Sequence, residues 1–152
     1  MLSNAYLSDW SPHLNDFTLD ERLATDTFPI AELPLSRVLL MNDARYPWVI
    51  LVPRFADISE VFELPAADQQ QLWREATQLG GAMKTALGGD KINIAALGNV
   101  VSQLHVHVIL RRHTDATWPA PVWGNGSAEP YEPASQAALR DQLLALVNGL
   151  AV

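Results

Sequence analysis

The sequence predicts an α+β domain built on a mainly antiparallel sheet, with one long helix and a C-terminal helix. Two observations carry this. Apolar strand pairs with short connections lie on either side of one helix-period segment. That segment is long enough to cover a sheet face, so the order strand, strand, helix, strand, strand, helix packs as an antiparallel sheet with its helices segregated. The length agrees: 152 residues, 49% hydrophobic and 18% charged, make one domain over 1–152. A chain of this size buries a sufficient core without disulfide or metal staples.

Residues 1–16 read as a polar arm. Thr18 to Leu23 reads as a short helix, with Thr18 as N-cap and acidic residues in its first turn. Phe28 to Pro34 reads as an extended connector, because each proline biases its predecessor away from helix. Arg37–Met41 and Trp48–Val52 are strands around a short turn at Asn42-Asp43, and the second is apolar on both faces.

From Ala66 to Leu87, Leu72, Ala76, Leu79 and Met83 recur at helical spacing. Asp68 and Gln71 read as a capping pair and Gly88-Gly89 as the stop. The inner pair Gly80-Gly81 suggests close packing on the sheet. Lys91–Ala96 and Leu104–Leu110 are two more strands, Thr117–Pro133 is loop, and Ser135 caps a last helix carrying Leu139, Leu143, Val147 and Leu150.

Composition removes several function classes. With no cysteine there is no thiol nucleophile, disulfide or zinc knuckle. The formal charge of −7 argues against nucleic acid or an anionic membrane as a bulk partner. No signal peptide or membrane span is visible, so a soluble, cytoplasmic protein is expected.

Chemistry concentrates in Gln103-Leu-His105-Val-His107-Val-Ile. Strand alternation would put Gln103, His105 and His107 on one face and Leu104, Val106 and Val108 in the core. Three readings of the histidine pair stand side by side. They are hydrogen-bonded structural residues, two ligands of a metal site lacking an obvious third, or a nucleophile with a neighbouring donor for chemistry at phosphorus.

The segment resembles the signature of the histidine triad superfamily, His-φ-His-φ-His-φ-φ with φ apolar, and the order of elements from about Arg37 to Arg112 is similar too. Bacterial members related to diadenosine polyphosphate hydrolases are the most similar in character. The resemblance implies a sheet of about five strands. It implies a nucleotide-binding hydrolase or nucleotidyl transferase acting at the α-phosphate of a dinucleoside polyphosphate or nucleoside phosphoramidate. His105 would be the nucleophile that becomes nucleotidylated, and His107 would contact the phosphate or bridging oxygen. Asn42, or Asp43 with a one-residue slip, would bind ribose, and Asn99 would serve the phosphate loop or cap its turn. No cofactor is needed for the covalent step, and Mg²⁺ would accompany only a polyphosphate. A homodimer is expected.

Gln103 departs from the pattern: an amide can position a neighbour but cannot carry a proton as imidazole does. The alternative is therefore a nucleotide-binding module with little turnover. Arg111 and Arg112 are candidates for distal phosphates or for salt bridges. Asn93, Tyr46, Trp48 and the Trp118–Trp123 segment are candidates for the pocket wall or for packing. His13 and His113 stand outside any motif.

Overall fold

A computed structural model describes residues 17–152; the arm at 1–16 and His13 lie outside the described residues. The sheet has five strands, β1 (Thr27–Glu32), β2 (Ser36–Met41), β3 (Trp48–Pro53), β4 (Lys91–Ala95) and β5 (Val106–Arg111), in the order β1-β2-β3-β5-β4. Every neighbouring pair is antiparallel. The short helix α1 (Glu21–Asp26) precedes β1, the long helix α2 (Ala66–Leu87) joins β3 to β4, and α3 (Pro133–Asn148) closes the chain.

The sheet has two buried faces. Val106, Val108 and Leu110 of β5 join Leu72, Ala76, Leu79 and Met83 of α2, and Leu143 and Val147 of α3, in the larger cluster. The opposite face holds Leu39, Trp48, Ile50, Val52 and Ile109, covered by Leu23 of α1 and by Val122 and Trp123 of the loop before α3. The central strand β3 is buried at every position, as its unbroken apolar run requires. Gly80 lets α2 approach the sheet: a Cβ there would lie 3.1 Å from Ile92 Cγ2. Gly81 faces open space. Gly88 ends α2 at φ +68°, and a Cβ on Gly89 would collide with Leu110.

Five local expectations are corrected. The segment read as an extended connector is the edge strand β1, with a register shift between Pro29 and Ala31. Proline lacks an N–H and is tolerated on such an edge. The α1 cap is Asp20, whose Oδ1 accepts from Arg22 N at 2.8 Å, and not Thr18. Helix α2 starts behind Pro65 without a side-chain cap, and Gln71 instead bonds Glu75 and Arg74. Helix α3 starts behind Glu132 with Pro133 in its first turn, which puts Ser135 inside the helix. Strand β5 also starts later than expected, at Val106, so Gln103 and His105 precede the ladder.

Candidate active site

His105 and His107 sit at the start of β5, with ring centroids 4.9 Å apart. Both are nearly buried, at 7% and 6% exposure. Their hydrogen bonds fix opposite tautomers. His105 Nδ1 lies 2.7 Å from the Gln103 carbonyl oxygen. A carbonyl only accepts, so Nδ1 carries the proton and the neutral ring keeps its lone pair on Nε2. His107 Nδ1 lies 3.0 Å from Trp48 Nε1. Indole N–H only donates, so His107 accepts there and carries its proton on Nε2. One imidazole thus offers a lone pair and the next a donor.

The sheet register explains the second bond. Ile50 stands opposite His107, so Trp48, two residues earlier on β3, shares its face and reaches across diagonally. Trp123 completes the cage, its ring 4.9 Å from His107 and 5.8 Å from Trp48. Burial, and secondarily the neighbouring His105, push the His107 pKa down to about 3. His107 is therefore uncharged across the physiological range.

A pH dependence follows with a definite sign. Between the ordinary value of 6.5 and about 3, the unfolded chain protonates this ring and the folded chain does not. Stability therefore falls as pH drops through that window, by about 2–3 kcal/mol at pH 4.5 from this group alone. Urea titrations at pH 7.0 and 4.5 should show the loss. His107→Asn, which cannot titrate, should be measurably less sensitive to pH.

Gln103 lies before the β5 ladder, and its side-chain amide is taken up by the segment before α1. Its Oε1 accepts from Asp20 N at 2.8 Å and its Nε2 donates to the Thr18 carbonyl at 2.8 Å. The amide therefore holds the segment before α1 instead of orienting an imidazole. The expectation that all three residues project together assumed a strand that begins only at Val106.

Asn42 Oδ1 accepts from Tyr131 N at 2.9 Å. Asp43 is 1% exposed and bonded to the Arg45 guanidinium, with Nη2 to Oδ2 at 2.8 Å. Its Oδ1 also accepts the N–H groups of Arg45 and Glu129. Burial alone would raise this carboxyl, but Arg45 and those amides outweigh it and hold it below its ordinary value. Asn99 is exposed and makes no side-chain hydrogen bond among the described residues.

The two arginines at the end of β5 are structural. Arg111 is 1% exposed and pairs with Asp115 at 2.7 Å, with further bonds to Asn93, Thr117 and the Ala120 carbonyl. Arg112 donates to the Leu87 and Gly88 carbonyls at the C-terminus of α2. Tyr46 is buried, its hydroxyl 2.6 Å from Thr117 Oγ1, and Trp118 packs on His113. Asn93, engaged by Arg111, belongs to the same network. Sequence reasoning missed the Trp48 bond because only the cross-strand register brings the two residues together. Among the described residues no three His, Asp or Glu gather where they could hold a metal ion. No described helix is long and apolar enough to cross a membrane.

A five-stranded antiparallel sheet backed by one long helix, with a His-x-His pair at the head of β5, defines the histidine triad class. The chain belongs to the HIT domain family, whose model matches residues 22–114. It is similar to a histidine triad protein from Marinobacter aquaeolei VT8, with 50% identity, TM-score 0.86, and coverage of 89% of this chain and 98% of that one. A histidine triad protein from Sinorhizobium meliloti 1021 shows 51% identity and TM-score 0.84, covering 87% and 98%. One from Bradyrhizobium japonicum shows 44% identity and TM-score 0.84, covering 86% and 98%. No curated protein matches the chain.

Proposed function

We propose that this protein is a nucleotidyl hydrolase or transferase that acts at the α-phosphate of a nucleotide conjugate through a nucleotidyl-His105 intermediate. The observation that carries the reading is the tautomer of His105. The Gln103 carbonyl holds the proton on Nδ1 and leaves the Nε2 lone pair as nucleophile. In the first step Nε2 forms a bond to the α-phosphorus. The bond from phosphorus to the leaving group breaks, and that group departs with the bond pair and takes a proton from water. In the second step water, or another acceptor, attacks phosphorus. The P–N bond returns its pair to His105, and the attacking water releases a proton to solvent.

His107 donates from Nε2 to a phosphate oxygen throughout, without changing charge. Trp48 fixes that donor by occupying Nδ1. No step in this scheme calls for a metal, and Mg²⁺ would travel with a polyphosphate substrate. Asn42, at the end of β2, remains the proposed ribose contact, with Asp43 committed to Arg45. The decisive test is mass spectrometry of the protein after mixing with AMP or GMP conjugates. An adduct of one nucleoside monophosphate on His105 is expected. A second reading, binding without turnover, rests on Gln103 being engaged away from the histidines. It wins if AMP or GMP binds and no adduct or product forms.

The expected partner copy has a candidate face. Among the described residues, strand β4 is an unpaired sheet edge. Beside it a groove of about 320 Å³ runs against α2, lined by Leu72, Ala76, Ile94 and Trp73, which is 63% exposed. An apolar edge of this kind is a pairing template, and two copies related by a two-fold axis would satisfy it. Sedimentation should give a dimer, and Trp73→Glu should shift it to a monomer.

A further inference from the structure

The hydrogen bond from Trp48 to His107 has a cover. Both of its partners are buried, while Trp123, whose ring meets both of theirs, is partly exposed. Trp123 is therefore the layer between that bond and solvent. The strands supply the other neighbours: Ile50 and Ala95 stand opposite His107 in the ladders of β3 and β4. Among the described residues, His105 is the titratable group against the ring, at 4.9 Å between centroids. Tyr46 lies behind Trp48, at 6.5 Å between ring centroids. Neither a carboxylate nor a cation adds to the burial and His105 in setting the charge of His107.

Trp123 stands on a turn that the end of β2 holds in place. Arg45 Nη1 donates to the Asn125 carbonyl at 2.9 Å, while Nε and Nη2 of the same guanidinium bond Asp43. Asn125 Nδ2 donates back to the Pro121 and Trp123 carbonyls at 2.8 and 3.1 Å. The turn sits directly on the guanidinium: a Cβ on Gly126 would lie 2.8 Å from Arg45 Nη1. Arg45 also lies over the Tyr46 ring, 5.1 Å from its centroid. One buried side chain thus supports Trp123 through the turn and Trp48 through Tyr46.

Resting on the donor role of His107 proposed above, we propose that Trp123 is a positioning residue for that donor, and that the Asp43–Arg45 pair serves the site by seating Trp123. The physical reason is exclusion of water. Under the indole, His107 Nδ1 meets only the Trp48 N–H among the described residues, and the ring stays neutral with its proton on Nε2. Without the indole, water competes for Nδ1 and solvates the charged ring. A charged His107 would also hold a phosphate more tightly as pH falls, which a neutral donor does not.

The test is NMR of the ¹⁵N-labelled full chain, following the His107 ring nitrogens and the Trp48 indole N–H from about pH 8 to about pH 5. In the parent, His107 should keep one protonated and one bare nitrogen throughout. Trp123→Ala should bring the His107 titration into this range. It should also speed hydrogen exchange at the Trp48 indole by at least about tenfold relative to the Val49 amide. Val49 is buried on the same strand, so a loss of global stability would move both together. Arg45→Lys should act in the same direction with smaller effect. Lysine still pairs with Asp43 and lacks the second nitrogen that reaches Asn125. Trp123→Phe keeps a ring over the bond and should return both signals toward the parent. AMP binding, followed by tryptophan quenching, should tighten on acidification at least about threefold more in Trp123→Ala than in the parent.

A His107 ring that stays neutral at about pH 5 in Trp123→Ala would overturn the role of Trp123. So would an unchanged exchange ratio, or an AMP response to pH equal to that of the parent. Parent-like spectra in Arg45→Lys would overturn the role of the ion pair. The spectra need no substrate, so these outcomes leave the His105 chemistry standing. Failure of the parent to bind AMP or to form any adduct would instead overturn the function on which the donor role rests.

Discussion

His105→Asn should lower turnover by at least about 10³-fold while the protein stays folded. Removing a residue that forms the covalent intermediate removes the pathway, and comparable nucleophile deletions cost on the order of 10⁴–10⁶. Asparagine keeps an N–H for the Gln103 carbonyl and loses only the lone pair at Nε2. Nucleotide binding, followed by quenching of tryptophan fluorescence, should therefore remain within a few-fold of the parent. The adduct seen by mass spectrometry should vanish. Wild-type turnover in His105→Asn would remove the nucleophile assignment outright.

The largest stability effect should come from the other end of β5. Arg111 and Asp115 form an ion pair with side chains at 1% and 5% exposure. The guanidinium also stacks near the Tyr46 and Trp118 rings, at 5.2 and 5.6 Å from their centroids. Burial alone would raise the Asp115 carboxyl. Arg111 and the amides of Arg112 and Thr117 outweigh it and hold it at about 2. Arg111→Met leaves a buried carboxylate without its partner, a loss of about 3–5 kcal/mol. For a chain of this size that is on the order of 10 °C in Tm. The double variant Arg111→Met/Asp115→Leu should recover much of the loss, because the stranded charge is gone. Urea denaturation of the two variants checks both statements. Equal stability of Arg111→Met and the parent would show that the pair contributes nothing.

The pair also shows where sequence reading reached its limit. Two adjacent arginines after a histidine motif are compatible with phosphate binding or with salt bridges. Asp115 is only four residues from Arg111, yet nothing in the linear pattern says that Thr117 and Ala120 fold back to enclose them. Gln103 is a similar case. Its side chain reaches 83 residues back to Asp20, a distance no local pattern encodes. The assumption that it shared a strand face with His105 followed from period-two alternation carried past the true start of β5.

Much else was legible because it depends on local chemistry. The apolar stripe of α2, the two-faced burial of β3, the stop at Gly88 and the alternation of Val106, Val108 and Leu110 against the histidine face all follow from side-chain periodicity and backbone preference. The capping residues were misread at all three helices, since several polar residues near a helix start compete and the tertiary path chooses among them.

The amino-acid sequence by itself determined the order of elements from β2 onward, the antiparallel class of the sheet and the pairing of His105 with His107. These are set by spacing along one chain. The tertiary structure alone decided the protonation pattern. Trp48 meets His107 only through the β3–β5 register, and His105 meets the Gln103 carbonyl only because the chain bends before the ladder begins. A hydrogen bond assigns a tautomer through the direction of its partner, and direction exists only once the strands are side by side.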